Sequence, residues 1–127
     1  MLYLSRVSLM YDYVTILGDF NLDLLNDSNG TVNQFLTLIE SYNFTQIINE
    51  PSRVTAATAT LLDLILVSDV DRVRSHSVKP TYGLSDHDAV ECIIDFTTTT
   101  VYRIMMRWNV LLILLLPQRL ETTKTLI

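Results

Sequence analysis

A chain of 127 residues, 49% of them hydrophobic, is long enough for one domain with a real core and is not disordered by composition. Its formal charge of −5 argues against a protein that grips nucleic acid mainly through a broad basic surface. The single cysteine, Cys92, excludes an internal disulfide framework and fits a reducing compartment.

The charge imbalance is local. Residues 1–50 carry Asp12, Asp19, Asp23, Asp27, Glu40 and Glu50 against Arg6 alone. Such a cluster is the ordinary composition of a solvated acidic surface, and it is compatible with a cation site. The first dozen residues contain no apolar run of seven or more, so no secretory signal is expected and the chain reads as intracellular. Without export, the glycosylation patterns Asn29-Gly30-Thr31 and Asn43-Phe44-Thr45 are chance matches.

The β-rich run YVTIL at 13–17 stops at Gly18 and predicts a buried strand that ends in a loop at GDFN. The loop continues through the turn-forming residues NDSNG. Val32, Phe35, Leu36 and Ile39 then recur at helical spacing, predicting one amphipathic helix from Thr31 to about Tyr42, capped by Asn29 or Thr31. FTQII follows as a strand closed by Asn49-Glu50-Pro51, and SRVTAATA at 52–59 reads as a polar connection. Beyond it, TLLDLILV predicts a buried strand, VRSHSV a more exposed strand with period-two alternation, KPTYGLSDHD a loop, and AVECIIDF a last strand. One helix among five strands with short connections indicates an α/β or α+β sheet protein.

The tail, 97–127, differs from this body. Its unbroken apolar stretch at 110–116 is far short of the roughly 20 residues that span a bilayer, so no membrane association is expected. A core strand and a partner-binding helix both fit the stretch. The composition of the tail is unlike the rest and suggests a misjoined or frameshifted end.

Three places put polar, metal-competent groups where strands end or are buried: Asp19 and Asn21 in LGDFN, Asp63 in LLDLILV, and Asp86 with His87 in LSDHDAV. Singly, a Gly-Asp pair after a strand is usually a turn, and Asp before His is commonly a loop accident. Asp63 is different. In an extended strand its side chain shares a face with Leu61 and Ile65 while Leu62, Leu64 and Leu66 line the other, and an unpaired charge there costs on the order of several kcal/mol. A carboxylate so placed needs a partner, and His87 is the best candidate. An imidazole held at one nitrogen by a carboxylate is fixed in orientation, which suits the other nitrogen for work on a phosphate or a water. The competing reading of Asp63 is a structural carboxylate capping neighbouring backbone. His76, Asp88 and Asp95 read as surface residues and Cys92 as a small core residue.

GDFN, then a hydrophobic strand with an internal Asp, then SDH, in this order, resembles the C-terminal half of the endonuclease/exonuclease/phosphatase superfamily. The stretch INEPSRVTAATATLLDLILVSDVDRV resembles more narrowly the endonuclease domain of non-LTR retrotransposons. The resemblance covers roughly residues 10–96. It implies a two-layer β-sandwich of the deoxyribonuclease I-like fold and Mg²⁺- or Mn²⁺-dependent phosphodiester hydrolysis of DNA. A reverse transcriptase domain would follow in an intact polyprotein, and no oligomer is implied. By the same resemblance Asp19 would orient or activate the attacking water and Asn21 would hydrogen-bond the scissile phosphate. Asp63 would orient His87, His87 would contact the phosphate, and Asp86 would belong to the metal site.

The family's early Asn and its metal-binding Glu precede GDFN, whereas Glu40 and Glu50 follow it. Residues 1–96 therefore read as the C-terminal half of such a domain, with the N-terminal half missing. The expected consequences are a sheet face without its partner layer and little or no nuclease activity from this chain alone. The same motifs would suit a phosphoesterase acting on small phosphoesters or RNA, or a noncatalytic remnant. Action on DNA would require nuclear access, although no Lys/Arg cluster reads as an import signal.

Overall fold

The computed structural model describes residues 2–95 and two further strands, Tyr102–Arg107 and Val110–Leu115, with side-chain surroundings described for residues 4–95. Helix α1 (Leu2–Met10) leads into strand β1 (Tyr13–Asp19) and helix α2 (Gly30–Ser41). The short strands β2 (Thr45–Gln46), β3 (Arg53–Val54) and β4 (Ala59–Thr60) precede β5 (Asp63–Val67). A 3₁₀ turn, Val70–Arg72, connects to β6 (Val73–Lys79), and β7 (Ala89–Ile94), β8 (Tyr102–Arg107) and β9 (Val110–Leu115) complete the order.

The described strands form one five-stranded sheet, in the order β2-β5-β1-β9-β8, and two small hairpins, β3-β4 and β6-β7. All pairings are antiparallel, so the molecule is an α+β protein with antiparallel sheets and, among the described residues, two α-helices.

The centre of the sheet is buried on both faces. Tyr13, Val14, Thr15 and Ile16 of β1 and Leu64, Ile65, Leu66 and Val67 of β5 are all buried, the pattern of a strand covered above and below. Val7 of α1, Ile39 of α2 and Phe44, Ile47 and Ile48 belong to the same core, and Val73, Val78, Val90, Cys92 and Ile94 of the β6-β7 hairpin pack against it. The bare face expected from the sequence is therefore absent over β1 and β5. Residues of both helices and of the β6-β7 hairpin pack into this core.

Helix α2 begins where Asn29, in extended conformation, accepts a hydrogen bond from the Thr31 N–H at 3.0 Å, so Asn29 rather than Thr31 is the cap. The Asn43 N–H bonds Glu40 O at 2.9 Å, and Asn43 then takes φ 59°, which turns the Phe44 N–H back to Ile39 O at 2.9 Å. The reversal drives Phe44, 1% exposed, into the core.

Several elements depart from the sequence reading. Residues 2–10, for which the sequence pattern predicts no element, are helical. FTQII contributes strand only at Thr45–Gln46. SRVTAATA is not merely a connection, because its ends pair as β3-β4 around a turn in which the Thr55 N–H bonds Thr58 O at 2.8 Å. The strand predicted from Thr60 begins at Asp63. In the tail, 110–115 takes the strand alternative and pairs with β1 from Tyr13↔Leu115 to Gly18↔Val110. The boundary at 96/97 and the end of the tail, 116–127, lie outside the described residues. None of the described helices is long and apolar enough to cross a membrane.

Candidate functional site

The antiparallel register of β1 and β5 ends with Asp19 directly opposite Asp63. Asp19 closes β1 and Asp63 opens β5, so two carboxylates meet at one end of the sheet, where strands give way to loops. Asp63 is thus not in mid-strand as the sequence suggested. Its side chain is 16% exposed, against 25% for His87, and polar neighbours satisfy it.

His87 Nδ1 lies 2.7 Å from Asp63 Oδ2. The loop bearing His87 is tied down at several points. The single hydroxyl hydrogen of Thr81 is shared between Ser85 O and His87 O, 3.1 and 3.0 Å from its oxygen, the His87 N–H donates to Ser85 Oγ at 3.0 Å, and the Thr81 N–H reaches Asp88 Oδ1 at 3.2 Å. Asp88, expected at the surface, is half-buried and serves as that acceptor. Asp95 and His76 are exposed, as expected, and Asp95 pairs with Arg74.

Asp19, Asp63 and His87 each offer one ligand atom, and these atoms lie within 4.8 Å of one another. Two carboxylates and an imidazole are donors that a divalent cation accepts, and a hard ion such as Mg²⁺ is commonly held by one or two carboxylates with water completing its shell. Asn21 sits two residues on, with φ 51°, where its backbone N–H bonds Asp19 Oδ1 at 2.8 Å. That turn, of the kind Asn and Asp favour, leaves the Asn21 side chain exposed beside the carboxylate.

Asp86 is placed differently from the metal ligand that the resemblance implies. Its side chain is 68% exposed and lies 2.9 Å from Arg53 Nε. The hydrogen bond from Arg53, reinforced by the guanidinium charge, holds the Asp86 carboxyl below the usual aspartate range. The cluster of Asp19, Asp63 and His87 does not include it.

Two residues at this end of the sheet escape the sequence reading. Ser52 is fully buried; its hydroxyl donates to Asp63 Oδ2 at 2.7 Å and accepts the N–H groups of Leu62 and Asp63. Arg53, the next residue, brings a cation against Asp86. Asp23 braces the same corner, its Oδ1 accepting the N–H groups of Leu25 and Leu61 at 3.1 and 2.9 Å. The signal for Ser52 and Arg53 is their position just before an Asp-bearing strand, but the surrounding threonines and alanines read as a polar linker.

No family model matches the chain, no curated protein matches it, and no solved structure matches it.

Proposed function

We propose that this chain carries the C-terminal half of a metal-dependent phosphodiesterase site of the deoxyribonuclease I-like, retrotransposon-endonuclease type, acting on DNA. The observation that supports this most is the Asp63–His87 contact at 2.7 Å, set beside Asp19 in the cross-strand register. Residues remote in sequence thereby assemble a carboxylate-oriented imidazole and a second carboxylate at one loop cluster.

In this reading Asp19 orients the attacking water and accepts its proton, while the exposed Asn21 side chain donates to a phosphate oxygen. Asp63 fixes the ring of His87 through Nδ1, and in its protonated form His87 donates from Nε2 to the phosphate and stabilises the charge that grows on it. Groups so placed are each worth roughly 10² to 10³ in rate. Asp19 and Asp63 are the carboxylates best placed to hold Mg²⁺ or Mn²⁺, and Asp86 would join them by giving up Arg53. A bound divalent ion supplies charge neutralisation at the phosphate and lowers the pKa of its water. The freed Arg53 would be a further cation for an anionic substrate.

The test combines turnover with binding. Purified chain is incubated with supercoiled plasmid and Mg²⁺, and Mg²⁺ is titrated into labelled protein followed by NMR. Mg²⁺-dependent shifts centred on Asp19, Asp63 and His87 are the expected result, with little or no nicking by this chain alone and any Mg²⁺-dependent nicking disappearing in both Asp19→Ala and His87→Ala. Mg²⁺ that neither promotes nicking nor moves those resonances overturns the proposal, as does nicking that survives His87→Ala.

A further inference from the structure

The hydrogen bonds of Ser52 bear on the protonation of His87 through a shared carboxylate oxygen. The Ser52 Oγ receives the Leu62 N–H at 3.1 Å and the Asp63 N–H at 2.9 Å, and lies 2.7 Å from Asp63 Oδ2. A hydroxyl offers one hydrogen and two acceptor sites. Two N–H donors fill the acceptor side, so the hydrogen has one place left to go, which is Asp63 Oδ2. That oxygen is obliged to accept.

The same oxygen, Oδ2, meets His87 Nδ1 at 2.7 Å. An ionised carboxylate accepting the Ser52 hydrogen carries none of its own to give, so the hydrogen of this second contact belongs to the imidazole. Neutral His87 is then the Nδ1–H tautomer, with the lone pair on Nε2. Free imidazole side chains in water prefer the opposite form.

We propose that Ser52 is a positioning residue: its saturated hydroxyl fixes the accepting face of residue 63 and, through it, the tautomer of His87. Ser52 is itself held in place, because its N–H bonds Thr60 O at 3.0 Å and its carbonyl accepts the Asp88 N–H at 2.7 Å. One buried residue therefore links β4, the start of β5 and the loop that carries His87. This is not a nucleophilic serine. In hydrolytic triads the serine bonds the histidine, whereas Ser52 bonds the aspartate and is closed off from solvent.

The catalytic meaning of this arrangement rests on the phosphodiesterase reading, in which Nε2 faces the phosphate. The tautomer is read without turnover, so failure of either idea leaves the other standing.

The decisive variant is Asp63→Asn. An asparagine can present either its oxygen or its NH₂ at the Oδ2 position, and the NH₂ would aim a third hydrogen at a Ser52 oxygen that already accepts two. Ser52 therefore selects the amide oxygen, and His87 keeps its Nδ1–H. Removing the hydroxyl as well, in Asp63→Asn/Ser52→Ala, releases that choice.

The measurement is long-range ¹H–¹⁵N NMR of the His87 ring at a pH where the imidazole is neutral, with amide dispersion reporting the fold. Nδ1–H is expected as the major form in the wild type and in Asp63→Asn, and Nε2–H as the major form in the double variant. A majority of Nε2–H in the wild type or in Asp63→Asn overturns the proposal, as does Nδ1–H persisting in a folded double variant. Should the double variant fail to fold, Asp63→Asn, which keeps the Ser52 contacts, decides between the two tautomers by itself.

Discussion

Asp19 and Asp63 face one another across the last rung of the β1-β5 ladder. Residues directly opposite in an antiparallel pair share a face, with Cβ atoms roughly 4.5 to 5.5 Å apart, and like charges there are destabilising. A fold with no use for the pair would gain by neutralising one member. Asp19→Asn keeps an oxygen to accept the Asn21 N–H while removing the repulsion. It is therefore expected to stabilise the chain by about 0.2 to 1 kcal/mol in urea unfolding without metal, and to abolish any Mg²⁺-dependent nicking that the chain shows. Because an ion that binds only the folded state raises its stability, Mg²⁺ should raise the melting temperature of the wild type and leave that of Asp19→Asn almost unmoved. A variant that loses stability, or that gains as much from Mg²⁺ as the wild type does, contradicts this account.

Arg53 and Asp86 lie 33 positions apart in sequence, and their contact has a pH signature. Asp86 titrates below the usual aspartate range because Arg53 bonds its ionised form. A carboxylate with a lowered folded-state pKa adds stability that is present above its unfolded pKa and lost as pH falls through the folded one. The window is thus acidic, at and below the ordinary aspartate range. In Arg53→Gln the Asp86 carboxyl is expected to titrate at higher pH, seen by NMR of the carboxyl carbon, while unfolding near neutral pH changes little because the pair is exposed. An unmoved Asp86 titration would show that Arg53 is not its partner in solution.

The parts of the site that are legible in the sequence are those that local pattern controls. YVTIL followed by Gly-Asp marks a strand end, and an aspartate at the head of LILV demands a partner, so Asp19, Asp63 and His87 stand out from the sequence alone. Ser52 and Arg53 do not, because β3 and β4 are two-residue strands and strands that short show no periodicity. Their importance comes from where the hairpin folds back, which is tertiary information. Helix α1 is hidden for a related reason. Val7 is buried while Leu9 and Met10 are exposed, so its apolar residues do not form one stripe. In the tail, residues 110–115 are apolar at every position, and such a run does not distinguish strand from helix.

The start of α2 offers a test that is independent of the site. Asn29 is the cap residue, accepting from the Thr31 N–H, and its carbonyl receives the Val32 and Asn33 N–H groups. Only the side-chain bond is lost in Asn29→Ala. The expected cost is about 1 kcal/mol in urea unfolding. Thr31→Ala should cost less, because Thr31 contributes only its backbone to the cap.

Cys92 lies on the inward face of β7 with Val90 and Ile94, between the exposed positions Glu91 and Ile93. Burial pushes its thiol above the ordinary cysteine range. Since the thiolate is the nucleophile, native protein at neutral pH should react with iodoacetamide far more slowly than protein unfolded in urea. A raised folded-state pKa also adds stability that is full below the unfolded pKa and lost as pH rises through the folded one. Wild type should therefore lose stability above the ordinary thiol range by more than Cys92→Val, which fills the same space without ionising. Equal alkylation rates in native and unfolded protein would mean that β7 does not hold this face against the sheet, and the loop that delivers His87 ahead of β7 would lose its anchor with it.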